Sequence, residues 1–304
     1  MVKPDFRVKI GKLGLKNPVI VASGTFGCGE EYGKLININK LGAIVTKSIT
    51  RDARQGNPAP RTVETPSGML NAIGLQNDGL EAFIKGKLPF LKKVRTAIIV
   101  SIAGHSVEDY AFIAARLDRV DRIDAVEINI SCPNVKGGLE FSREPDSVAA
   151  VIRAARKMTK KPLITKLSPN VSDITEIALA AQGAGSDAVS LVNTFTGMAV
   201  DIESRAPALG NITGGLSGPA IKPIALRMVW EVAKKVRIPV IGMGGIMDSE
   251  DALEFIIAGA SAVQVGTANF VNPRAALEVI SGIEGYMRKY KIRDMGDLTG
   301  SIKI

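Results

Sequence analysis

The chain is poor in the residues that most metal and nucleophile chemistries need. Among its 304 residues there are two cysteines, Cys28 and Cys132, and one histidine, His105. Two cysteines without paired spacing cannot build a zinc site or an iron–sulfur cluster alone. A single histidine argues against a histidine-based triad or metal centre, so no resident metal is expected. Low-complexity and linker-like stretches are missing too. The start of the chain, "MVKPDFRVKIGKLGLKNPVIVA", lacks an apolar run long enough for a signal peptide or a membrane span. That favours the cytoplasm and no membrane partner.

Basic residues outnumber acidic ones, for a net charge of +9, which invites a nucleic-acid reading. The basic runs "LKKVR" (91–95), "RKMTKK" (156–161) and "AKKVR" (233–237) each close an amphipathic stretch just before an apolar run. Cations there complement the negative end of a helix dipole. No nucleic-acid partner is therefore expected, although the basic balance still attracts anionic substrates.

Short β-branched runs recur: "PVIVA" (18–22), "AIVTKS" (43–48), "AIIVSIAG" (97–104), "AVEINIS" (125–131), "PLITKLS" (162–168), "AVSLVN" (188–193), "IPVIGMGG" (238–245) and "AVQVGT" (262–267). Stretches of helical period separate most of them, such as 106–120 and 171–185. Apolar strands alternating with amphipathic helices indicate a parallel sheet covered by helices. Eight such units predict an α/β fold, the (β/α)8 TIM barrel, with an open doubly wound sheet as the alternative. Barrels of this kind commonly run past the usual domain length, so residues 1–304 are read as one domain. The connections after strand two (49–78) and strand six (194–218) are long, and long connections in a compact domain are usually functional.

Barrel active sites form where strands end. The strand ends here are Ser23, Lys47 with Ser48, Ser101, Asn129 with Cys132, Lys166, Asn193, Gly244 with Gly245, and Gly266 with Thr267. Each is polar, or a glycine that lets backbone meet a ligand closely. Two lysines at the ends of apolar strands point to anion binding. The glycine turns after strands seven and eight fall where such barrels commonly bind phosphate. Cys28 is read as packing, His105 as structural at a helix start, and Trp230 as core. The stretch 143–157 has capping residues before an apolar period and is read as scaffold.

"SGTFG" (23–27), "TKSIT" (46–50), "NAIGLQN" (71–77), "NISCPN" (129–134), "TKLSPN" (165–170), "NTFTGM" (193–198), "GGLSGPAIKPIALR" (214–227) and "GMGGI" (242–246) resemble the dihydroorotate dehydrogenase family. The similarity is closest to its class 1B catalytic subunits, covers essentially the whole chain in order, and is highly specific. It implies oxidation of (S)-dihydroorotate to orotate in pyrimidine biosynthesis, with FMN accepting the hydride. By the same resemblance Ser23, Lys47, Ser48, Asn129, Lys166, Val192, Gly218, Gly244, Gly245, Gly266 and Thr267 hold FMN. Lys47, Asn71, Ala72, Ile73, Gly74, Leu75, Asn129, Asn193 and Thr194 hold the substrate, and Cys132 is the catalytic base.

The residue types suit these implied roles. Asparagine amides match the donor and acceptor edge of a pyrimidine ring. Lys166 is a fixed cation for the charge that collects on a reduced flavin. A cysteine with an ordinary pKa of about 8.5 acts as a base once its thiolate is stabilised. Ser101 stands where the family usually has Asn, and it offers one short hydroxyl instead of an amide.

The resemblance further implies a partner subunit carrying FAD and a [2Fe–2S] cluster that passes electrons to NAD+, around a homodimeric core in a heterotetramer. Lacking four suitable cysteines and any G-x-G-x-x-G at a strand–helix turn, the chain is compatible with such a split. The alternatives are a barrel acting on another dihydropyrimidine, a tRNA dihydrouridine synthase, and a non-catalytic flavin- or phosphate-binding barrel. "NAIGLQN" argues against the first. The second should append a helical RNA-binding domain.

Overall fold

Strand formation follows the β-branched runs. In the computed structural model, which describes residues 4–130 and 141–304, they become β1 (Val19–Val21), β2 (Ala43–Val45), β3 (Ala97–Ile102), β4 (Ala125–Asn129), β5 (Leu163–Lys166), β6 (Ala188–Leu191), β7 (Val240–Met243) and β8 (Ala262–Val265). They close into a barrel in sequence order, β8 beside β1, with every neighbouring pair parallel. The closed (β/α)8 barrel replaces the open-sheet alternative.

The period of two along each strand divides its side chains between two environments. On β4, Val126 and Ile128 pack outward with helix residues such as Ile113 and Val148. Ala125 faces the barrel interior, in a cluster with Ile20, Ile99, Ile164 and Ile241. Continuing the alternation puts Glu127 and then Asn129 on the inner face. Inward positions are thus apolar near the strand starts and polar near the strand ends.

A short antiparallel hairpin, Val8–Ile10 with Leu13–Leu15, closes the end where the strands begin. Its Ile10, Leu13 and Leu15 complete the apolar interior cluster.

The outer helices start and stop on local signals. Ser106 Oγ accepts from Asp109 N at 3.2 Å to open Val107–Asp118, and Asp173 Oδ1 accepts from Thr175 N at 2.7 Å to open Ile174–Gly183. Pro145 sits in the first turn of Pro145–Met158. Asp248 caps Ser249–Ala258, the helix that follows the double glycine. The basic runs lie at helix ends as expected. Arg156, for example, binds Asp187 at 2.8 Å and the carbonyl of Lys161 at 2.8 Å. Trp230 departs from its core reading. It is half-buried on Lys222–Ala233, with Lys234 Nζ 4.3 Å from its ring centre. Among the described residues no helix is long and apolar enough to cross a membrane.

The two long connections are not merely loops. Thr62–Thr65 and Gly68–Asn71, from the connection after β2, pair with Phe195–Met198 and Thr213–Ser217, from the connection after β6. Together they make one four-stranded antiparallel sheet above the barrel. Asn71 sits at its middle, opposite Gly215 on one side and Thr62 on the other. Leu70, Ala72 and Leu209 form a small core of their own there.

Candidate active site

The polar strand ends and the loop sheet enclose a cavity of about 250 Å³. Ser23, Lys47, Ser48, Asn129, Lys166, Val192, Gly218, Gly244, Gly245, Gly266 and Thr267 all line it, and so do Asn71, Ile73, Gly74, Leu75, Asn193 and Thr194. Ala72 does not. Its side chain is buried with Leu70 and Leu209, behind the cavity wall. Cys132 lies outside the described residues.

Hydrogen bonds tie the strand ends together. Asn193 Nδ2 donates to Asn129 Oδ1 at 3.4 Å, and Asn129 Nδ2 donates to Ser48 Oγ at 3.3 Å. Ser48 Oγ meets Ser101 Oγ at 2.8 Å. One chain of polar groups thus joins β6, β4, β2 and β3. Ser101 is fully buried and does not line the cavity, so its hydroxyl acts by orienting Ser48. Tyr110, from the helix Val107–Asp118, donates its phenol to the Asn129 carbonyl at 2.9 Å and anchors the end of β4 from outside.

Cations and glycines both line the wall. Lys166 is 5% exposed, and its Nζ donates to Ser23 Oγ at 3.3 Å, spanning from β5 to the end of β1. Lys47 reaches the cavity from the end of β2. Gly245, after β7, has φ +80°, and a Cβ there would come within 2.8 Å of Lys222 Cβ and 2.9 Å of the Gly218 carbonyl. Only glycine makes that turn. Gly266 is different. Its backbone is ordinary, and a Cβ would meet Ala22 and Thr25 at 3.7 and 3.9 Å. Nothing in the protein demands glycine there, but a side chain would project into the cavity.

The glycine turn is braced from behind. Asp251 Oδ2 accepts from Met247 N at 2.8 Å, and Oδ1 accepts from Lys222 Nζ at 2.6 Å. That bond to Asp251 holds the Lys222 ammonium above its usual range. Cys28 is buried in the main core, and burial pushes its thiol up to about 11, as its packing role requires. His105 precedes the Ser106 cap and meets Arg54, whose backbone pairs with Asn77 to dock the start of the first long connection.

Several wall residues escape a reading of strand ends: Thr62, Met69, Met247, Gln264 and Phe270. Gln264 carried a signal, because it is the one polar residue of "AVQV" and falls on the inner face. Thr62 and Met69 carried none, since only the pairing of two distant connections brings them over the barrel.

Residues 6–287 match the dihydroorotate dehydrogenase family. The chain is 56% identical over 303 residues to a Trichlorobacter lovleyi protein named dihydroorotate dehydrogenase B (NAD+), catalytic subunit, covering 99% of this chain and 100% of that one. Proteins of the same name from Geotalea daltonii and Desulforamulus reducens are each 55% identical, over 305 and 301 residues. Full coverage is reached on both chains with the first, and 99% on both with the second. The chain therefore belongs to the dihydroorotate dehydrogenase family, among its NAD+-linked B-type catalytic subunits.

Proposed function

We propose that this chain oxidises (S)-dihydroorotate to orotate in pyrimidine biosynthesis, with FMN as its cofactor and Cys132 as the base. The observation that carries the reading is one shared cavity. Every residue expected to hold the cofactor lines it, and so does every residue expected to hold the substrate except Ala72. FMN fits the residue types present. The turn at Gly244 and Gly245, with Gly218, Gly266 and Thr267, offers backbone N–H groups and space for a phosphate. Thr267 and Ser217 hydroxyls, 2.8 Å apart, add polar atoms beside it.

When bound, the flavin supplies the hydride acceptor for C6 of the substrate. The protein's own residues do the rest. Lys166, a cation in the cavity wall, would stabilise the negative charge that reduction leaves on a bound flavin. Asn129 and Asn193, locked by their mutual bond, present amide groups to the substrate ring, and Asn71 faces them from the loop sheet. Lys47 balances the substrate carboxylate. Cys132, as its thiolate, would take the C5 proton.

Electrons then leave to a partner subunit, proposed to carry FAD and a [2Fe–2S] cluster and to reduce NAD+ in the cytoplasm. The assembly proposed is a homodimeric core within a heterotetramer, and exposed apolar side chains on the connection after β6 offer surface for subunit contact. Met198, Val200, Ile202 and Ile212 are all more than half exposed there.

The deciding experiment is an anaerobic visible spectrum of the chain with FMN, before and after dihydroorotate. Bleaching of the bound flavin is expected. A flavin that binds and stays oxidised would move the reading to another dihydropyrimidine, and no binding would refute the cofactor. Free NAD+ should reoxidise the isolated chain poorly, and rapid turnover without a partner would overturn the split-enzyme arrangement.

A further inference from the structure

Among the described residues, Leu75, Arg205, Ile212 and Lys291 have left-handed backbone without being glycine, and only Leu75 lines the cavity. Its φ is +57°, directly after Gly74 at +72°. A bulky residue rarely adopts this conformation, because its Cβ crowds the following carbonyl. At position 74 glycine is obligatory, since a Cβ there would lie 2.6 Å from Asn57 N. The leucine that follows has to be held in place.

The group that holds it is Asn77, which does not itself line the cavity. Its Nδ2 donates to the Leu75 carbonyl at 2.7 Å and to Thr50 Oγ1 at 2.8 Å. Thr50 Oγ1 gives its own hydrogen to the Asp52 carbonyl at 2.6 Å, so it is free to accept. Asn77 Oδ1 accepts from Thr50 N at 3.1 Å and from Gly79 N at 2.9 Å. The second of these closes a turn of the kind asparagine favours. Both amide hydrogens and the amide oxygen are therefore engaged, which fixes the side chain. Thr50 is buried just past Lys47 and Ser48, so one amide ties the end of β2 to the loop 73–75.

Asn57 treats the preceding residues alike. Its N donates to the Ile73 carbonyl at 3.1 Å, and its Nδ2 to the Ala72 carbonyl at 3.0 Å. The carbonyls of Ala72, Ile73 and Leu75 are thus all taken by donors outside the cavity lining. Carbonyls directed there keep their negative ends away from an anionic substrate.

We propose that Asn77 is a positioning residue: by holding Leu75 left-handed it fixes residues 73–75 against the cavity, and so sets substrate affinity without touching the substrate. The effect on affinity rests on the dihydroorotate reading of the cavity, whereas the hold on Leu75 does not.

The test is calorimetric titration of orotate into the full-length protein loaded with FMN. Asn77→Ala should raise the orotate Kd by about tenfold, the upper end of what one hydrogen bond usually contributes, and leave the FMN Kd unchanged. In a Leu75→Gly background the same change should cost at most about twofold, because glycine adopts φ +57° unaided. An equal loss in both backgrounds would mean that Asn77 acts elsewhere, and would overturn the proposal. An unchanged orotate Kd in Asn77→Ala would overturn it too. If Asn77→Ala fails to fold, Asn77→Ser takes its place in both backgrounds, since it keeps an acceptor for Gly79 N on a shorter side chain. A crystal structure of the single variant gives a reading without ligand. Leu75 should leave the left-handed region there, and a leucine that stays would overturn the proposal. Wild-type protein that binds FMN but no orotate would refute the substrate reading and leave the crystal structure to decide the role of Asn77.

Discussion

The two ends of the barrel are built from the same eight strands, yet they do opposite work. Where the strands begin, Ile20, Ile99, Ile164 and Ile241 face inward and a hairpin seals them with Ile10, Leu13 and Leu15. One or two inward positions later the same faces carry Ser101, Glu127, Asn129, Lys166, Ser190 and Gln264. The first end is a packed core, and the second is a cavity with cations, amides and a glycine turn. Stability and chemistry are thus separated along the strand axis. Mutations at the two ends should fail in different assays.

The largest effect is expected at the open end. Cys132→Ser should leave FMN bound and slow dihydroorotate-driven flavin reduction by about 100-fold to 10,000-fold, the usual range for losing a general base. Stopped-flow absorbance measures it, and an unchanged rate would remove Cys132 as the base.

At the closed end, Ile20→Ala should cost about 2–5 kcal/mol of stability, because it empties space in a close-packed interior. Urea unfolding measures this. Flavin affinity, measured well below the transition, should stay near wild type. If both change together, the two ends are not separable.

Gly245→Ala tests the turn between them. The new Cβ must displace Lys222 or the Gly218 carbonyl, and φ +80° is strained for alanine, so about 1–3 kcal/mol is expected. The contrast with Gly266→Ala sharpens the point. That change should leave stability near wild type and still weaken FMN binding, by fluorescence titration.

The smallest effect is one of pH and belongs to the packed region. Burial raises the Cys28 thiol from 9.0 to about 11. Above pH 9 the unfolded chain loses this proton while the folded chain keeps it. Stability should therefore be fully present below pH 9 and fall as pH rises toward 11, by on the order of 1 kcal/mol near pH 10. Cys28→Ala should flatten that slope in thermal melts, and an unchanged slope would remove Cys28 as its source.

Much of this was legible before any coordinates. All eight strands could be read because each buries both faces, and β-branched apolar runs between turn residues have few other uses. Their polar ends marked Lys47, Asn129, Lys166 and Asn193 as wall residues for the same reason. Trp230 misled, because an amphipathic pattern does not say how deep an aromatic sits. The four-stranded sheet was not visible at all. Its strands are rich in glycine and half-exposed, as in "FTGM" and "TGGLS", and such segments become strands only when a partner supplies the other half of the ladder.

By itself, then, the sequence determined the barrel and the chemistry around its rim, since period and residue type act locally. Tertiary structure decided what only distant contacts can create. It put the sheet of two remote connections over the cavity, moved Ala72 behind the wall, turned Ser101 toward Ser48, and joined Glu127 and Gln264 from β4 and β8 in one buried hydrogen bond. None of these follows from neighbours in the chain, because each depends on which groups from other strands arrive to share the same buried space.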